Sequence, residues 1–101
     1  MPSDDEVVML YLEMANLLQE SNRYQAIKWI KTIETTYESE ADTDLGEFLN
    51  DMTYVLLNQL HDPELHSVIR DHIYDSELDY TMLFEIGSTL LSDLYLMIHA
   101  L

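Results

Sequence analysis

Between Pro2 and the end of the chain, only three residues interrupt an otherwise unbroken supply of helix-compatible sequence: Gly46, Pro63 and Gly87. All-β folds need turn residues every eight to twelve positions, and a chain of 101 residues with two glycines and two prolines cannot supply them. The apolar residues instead recur at spacings of three and four, the period of a helix with one buried stripe. The chain is therefore expected to fold as an all-α, compact single-domain bundle of about five helices, one acidic helical domain over residues 1–101. With 48% hydrophobic residues, seventeen of them leucine and only four alanine, it has enough large side chains for a core without metal or disulfide.

The helix boundaries are written in capping signals. Ser3 with Glu6 forms a capping-box pattern, and Asp4, Asp5 and Glu6 suit the positive end of a helix dipole. The first helix should run from about Asp4 to Glu20, burying Val7, Leu10, Met14, Leu17 and Leu18. Asn22 with Gln25 starts a second, to about Glu38, with Ala26, Ile27, Ile30, Ile33 and Tyr37 inside. The polar segment from Glu38 to Asp44 is the clearest loop. A third helix follows, capped by Thr43 or Asp42, to about Leu60, with Leu45, Leu49, Met52 and Leu56 inward and Phe48 and Val55 beside them. Asp62-Pro63 predicts the start of a fourth, a capping acid followed by proline at the first helical position, to about Tyr74. Ser76 and Asp79 repeat the capping-box pattern before a fifth helix that runs to the chain end. Its stripe is Leu83, Ile86, Leu90, Leu94, Met97 and Leu101, widened by Leu91, Tyr95 and Ile98. This helix is a candidate for the centre of the bundle or for a self-association face through which two copies would pair.

Charge narrows the function. Twenty carboxylates face four basic residues, Arg23, Lys28, Lys31 and Arg70, for a net charge of −16. None of the four lies between Thr32 and Ile69 or after Arg70. Phosphate contacts require lysine and arginine, so nucleic acid is not expected as a direct ligand, and anionic membrane surfaces are disfavoured by the same sign. No run of 18 apolar residues occurs, and the most apolar stretch, Leu90 to Leu101, is too short to span a bilayer. The first residues are acidic where a signal peptide needs basic ones, and cysteine is absent. Both fit a cytoplasmic protein.

Catalytic and metal signatures are missing. Without cysteine there is no thiolate nucleophile or thiolate metal site. No GxSxG, P-loop or GxGxxG pattern occurs. His61, Asp62, Glu64 and His66 lie close in sequence, but the histidines stand five apart with a helix start between them, a polar helix N-terminus rather than the i, i+4 pair of a metal site. Paired carboxylates could serve acid–base chemistry across a cleft, but a bundle of this size is expected to have little room for one. The chain is read as a non-enzyme without cofactor.

What remains is the acidity itself. Like charges at helical spacing repel by about 0.2–0.5 kcal/mol per pair. Yet Asp44, Glu47 and Asp51 form such a row with no basic neighbour, and Asp71, Asp75 and Asp79 form another. Seven tyrosines accompany the acids, and tyrosine is a favoured interface anchor. The expected contact set is Glu38, Glu40, Asp42, Asp44, Glu47, Asp51, Asp71, Tyr74, Asp75, Glu77, Asp79 and Tyr80. Neighbouring acids on a helix stand about 5–6 Å apart at Cβ, comparable to successive backbone phosphates, so rows of them can occupy a groove built for nucleic acid. In size, charge and helicity the chain resembles small acidic inhibitors, either immunity proteins that neutralise nuclease toxins or DNA mimics of anti-restriction and anti-CRISPR type. That resemblance implies a basic, nucleic-acid-binding protein as partner. The alternative is a helical adaptor or secretion chaperone that grips a partner through an apolar groove, expected along the C-terminal helix.

Overall fold

The computed structural model describes residues 2–100; Leu101, expected on the inner stripe of the last helix, lies outside them. Five α-helices follow in order: α1 (Asp4–Glu20), α2 (Arg23–Thr36), α3 (Asp44–Asn58), α4 (Leu65–Tyr74) and α5 (Tyr80–His99), with one 3-10 turn, Glu38–Glu40, between α2 and α3. No strand occurs among the described residues. The bundle has a radius of gyration of 12.7 Å, matching the ~13 Å expected of a compact domain of about 100 residues.

Three of the expected N-caps form as the sequence reads. Ser3 and Asn22 each accept a backbone N–H from the residue three ahead, and Glu6 and Gln25 reach back to the cap N–H, closing two capping boxes. Thr43 accepts from the Gly46 N–H at 3.2 Å. The other two starts shift. α4 begins at Leu65 with Glu64 at the cap, because the Asp62 carboxylate accepts the Glu64 N–H two residues on, at 2.8 Å. That bond closes an Asx turn which uses up the proposed cap, so Asp62-Pro63 belongs to the turn before the helix. Likewise the Ser76 hydroxyl accepts the Leu78 N–H in a turn, and Asp79 alone caps α5 by accepting from Met82 at 2.8 Å.

The centre of the molecule is α1 as much as α5. α1 packs against α3, α4 and α5, while α5 bridges α1 and α2. α1 therefore buries more than one stripe: Val8, Tyr11, Leu12 and Ala15 join the expected Val7, Met14 and Leu18, while Leu10 and Leu17 stay half-buried. α2 buries the expected Ala26 and Ile33 together with Trp29, which the stripe did not include, and leaves Ile27 and Ile30 half-buried, Ile30 packed against the core. The reason is polar as well as steric. Trp29 donates Nε1–H to the Leu90 carbonyl at 3.0 Å, and Tyr11 donates its hydroxyl to the Leu83 carbonyl at 2.9 Å, both buried. Leu83 and Leu90 are two helical turns apart, so α5 offers two carbonyls on one side, one to each neighbour. No buried side-chain nitrogen or oxygen is left without a partner among the described residues.

α5 is 20 residues long and is apolar enough, by length and composition, to pass for a bilayer span, which the Leu90–Leu101 stretch alone was not. Within the fold it is a core helix with a mixed outer stripe: Met82, Glu85, Thr89, Ser92, Leu96 and His99 are all exposed. Tyr95, expected to widen the inner stripe, is partly exposed instead, stacked on His99 and donating to Glu13 at 2.6 Å. The outward face of the C-terminal helix is thus no continuous apolar surface.

Candidate functional site

The two acidic rows meet. α3 and α4 form an antiparallel hairpin, and the N-terminal half of α3 lies beside the C-terminal half of α4. Between them runs a cleft of about 440 Å³ lined by Asp44, Glu47, Asp51, Asp71, Asp75 and Glu77, with Phe48, Val68, His72 and Ser76. The arrangement follows from each helix's own pattern. Asp44, Phe48 and Asp51 stand at i, i+4 and i+7 on α3, and Val68, Asp71 or His72, and Asp75 stand at matching intervals on α4. Each helix thus presents one apolar residue inside an acidic stripe. When the stripes face each other, Phe48 and Val68 seal the floor and the acids form the walls. So small a bundle was expected to leave little room for a cleft, and it leaves this one because α4 is short and its partner stripe is mostly charged.

The six carboxylates are unengaged. Among the described residues, the acids that accept hydrogen bonds are Asp4, Glu6, Glu13, Glu40, Asp62 and Asp79, and none of the cleft acids is among them. None of the four Lys and Arg residues lines the cleft. Arg70, the one lysine or arginine on α4, stands near Tyr74, which also lies near Asp4 and Asp5 at the start of α1. The cations of α2 sit elsewhere, Lys28 and Lys31 on a shallow threonine-rich surface of that helix. Among the described residues, no group of three His, Asp or Glu side chains is placed to hold a metal ion. That includes His61, Asp62, Glu64 and His66, which are all exposed. The cleft is an extended field of negative charge, not a chelate.

A second groove, of about 540 Å³, lies on the other flank of α3, against the end of α2 and the 3-10 turn. Ile33, Tyr37 and Leu49 form its apolar part, and Glu34, Glu38, Asp42 and Glu47 its acidic part. Glu47 lines both openings, so it stands on the ridge between them. The wall of this groove is fixed by Gly46. A Cβ there would run into the carbonyl oxygen of Glu40 and the Cα of Ala41, so glycine lets the turn's backbone lie directly on the first turn of α3. The Thr43 hydroxyl, donating to the Glu40 carbonyl at 2.6 Å, ties the same loop down.

The twelve residues singled out by sequence therefore separate into five places. Asp44, Glu47, Asp51, Asp71, Asp75 and Glu77 share the cleft; Glu38 and Asp42 line the adjoining groove. Glu40 is held locally by the Thr43 hydroxyl, and the Asp79 carboxylate is committed to capping α5. Asp79 thus leaves the row it was expected to share with Asp71 and Asp75. Tyr74 and Tyr80 lie outside both openings, and Tyr74 stands near Asp4, Asp5 and Tyr80. Partial desolvation first, and those two acids second, push the Tyr74 hydroxyl above its ordinary pKa, with Arg70 opposing. Sequence reasoning missed Phe48 and Val68 as the floor, and His72. The signal was present, since each lies within the stripe of its own acidic row, but it shows only once α3 and α4 are paired.

No family model matches this chain, and no curated protein or solved structure matches it.

Proposed function

We propose that this protein is an inhibitor that covers the basic, nucleic-acid-binding surface of a partner protein. The observation that carries this reading is the convergence of two separate acidic rows on one cleft, where six carboxylates accept no hydrogen bond among the described residues and no lysine or arginine joins the lining. Such an arrangement weakens the isolated chain through self-repulsion, and it becomes favourable when a cationic surface is brought against it. Helices hold the acids in place before contact, so little ordering is needed on binding. Long-range attraction would speed encounter, up to about 10⁸–10⁹ M⁻¹s⁻¹ at low salt. An immunity protein bound to one nuclease toxin and a DNA mimic bound to several nucleic-acid proteins share this physics.

The test is capture from an extract of the native cell by the immobilised protein, beside a variant in which Asp44, Glu47, Asp51, Asp71, Asp75 and Glu77 are changed to the amides. The reading expects a basic nucleic-acid-binding protein on the first and not on the second. Losing about 0.5 kcal/mol at each of six partly solvated pairs amounts to ~3 kcal/mol, roughly a hundredfold in affinity. Equal capture by both would refute it.

One observation favours the adaptor reading as well. Met9, Leu10, Leu12 and Phe84 line an open groove between α1 and α5, with Met9 64% exposed. The adaptor's apolar contact is then on this groove, not on the outer stripe of the C-terminal helix. Asp5, Glu6 and Glu13 rim it, so here too the partner would be cationic. A captured partner lost on Met9→Glu, and kept by the six-amide variant, would favour this reading over masking.

A further inference from the structure

We propose that the groove between α2, the Glu38–Glu40 turn and α3 receives a large apolar side chain of the partner, flanked by lysine or arginine, so that the bound segment is amphipathic and not merely basic. This rests on the masking reading and adds what kind of segment the partner offers.

The groove differs from the cleft in what it can reward. In the cleft, Phe48 and Val68 lie at the bottom of a surface otherwise made of charge. In the groove, the half-buried Tyr37 and the outer edges of the core residues Ile33 and Leu49 form the apolar part, and Glu38 and Asp42 stand exposed at its edge. Its volume of about 540 Å³ falls in the range of sites that enclose a ligand group. It is also pre-built: the Gly46 contact and the Thr43 hydroxyl hold the turn in place, so a side chain entering it orders nothing new. A second copy of this chain is a poor occupant, because each copy carries a net charge of −16. An uncharged apolar segment would leave the acidic edge unpaired and partly desolvated. A cationic segment with an apolar anchor satisfies both parts. Since Glu47 stands between groove and cleft, the segment's flanking charges can reach the cleft while the anchor sits in the groove.

Two labelled 14-residue peptides separate the terms. Both carry six arginines; one has a central Phe-Leu pair and the other has Ser-Ser there. Their affinities for the full chain are read by fluorescence anisotropy at low and at physiological salt. The anchored peptide should bind at least tenfold more tightly, as expected for burial of one large apolar side chain, and the ratio should survive added salt. Asn50→Trp, a bulky change at an exposed groove position, should bring the ratio near one with helicity unchanged by circular dichroism. The Asp51→Asn, Asp71→Asn, Asp75→Asn variant should weaken both peptides together and leave the ratio intact. A ratio near one for the native chain, or a ratio indifferent to Asn50→Trp, overturns the proposal. Failure of the masking reading is seen separately, as equal partner capture by the six-amide variant.

Discussion

At the scale of single residues, two buried donors hold α1 and α2 to α5. Tyr11 is fully buried, and burial first, with the nearby Tyr37 second, pushes its pKa well above the ordinary 10.0. The sign of the consequence is fixed. Above the unfolded-state pKa the unfolded chain gives up the Tyr11 proton while the folded chain keeps it. The stability tied to this group is therefore whole below about pH 10 and falls as pH rises beyond it. Tyr11→Phe should cost about 1 kcal/mol at neutral pH, the worth of one buried hydrogen bond. Its stability should then fall less steeply than the native chain's above pH 10, as read by urea denaturation across pH. The two glycines give a second comparison. Replacing an exposed helical glycine by alanine ordinarily gains about 1 kcal/mol. At Gly46 the new Cβ meets backbone, whereas at Gly87 it meets the ends of the Leu10 and Tyr11 side chains. Gly46→Ala should thus lower the thermal midpoint more than Gly87→Ala, because the half-buried Leu10 side chain, the nearest atom at Gly87, can turn aside and the Glu40–Ala41 backbone cannot.

At the scale of elements, the local sequence carried most of the information. Capping boxes at Ser3 and Asn22 and the Thr43 cap formed where the residue types placed them, because a cap needs only its own next three residues. Asp62-Pro63 and Ser76 misled for the same reason: an acid or serine can serve a turn two residues ahead as readily as a helix three ahead, and the choice depends on where the chain must go next. The distinction has a measurable side. Asp79→Ala removes the one cap of α5 and should cost about 1 kcal/mol. Ser76→Ala loses only a turn contact and should change stability by no more than about 0.5 kcal/mol in the same denaturant titration. The inner faces were less legible. Trp29 and Tyr11 fell outside the stripes read along their own helices, and both are fixed by carbonyls of a helix more than sixty residues away. The candidate site was half legible. Each acidic row could be read along its own helix, but that α3 and α4 would set their rows face to face is a fact of tertiary packing. So is the diversion of Asp79 to a cap and of Tyr74 to the neighbourhood of α1.

At the scale of the whole molecule, the charge distribution opposes the fold it sits on. Asp51→Asn, Asp71→Asn and Asp75→Asn together should stabilise the isolated chain by about 0.5–1 kcal/mol at low salt, by relieving like-charge pairs within and between α3 and α4. That gain should shrink toward zero near 1 M salt, where the Debye length is about 3 Å. A protein that becomes more stable and binds less when its cleft acids are neutralised has its acidity placed for a partner. The most direct measurement of that claim is competition: the partner captured by the native chain is bound to labelled DNA or RNA, and this protein is titrated in. Masking requires that the nucleic acid be released as the protein binds, with no species containing all three, and that the six-amide variant releases little. A stable ternary complex, with nucleic acid retained at saturation, would contradict it.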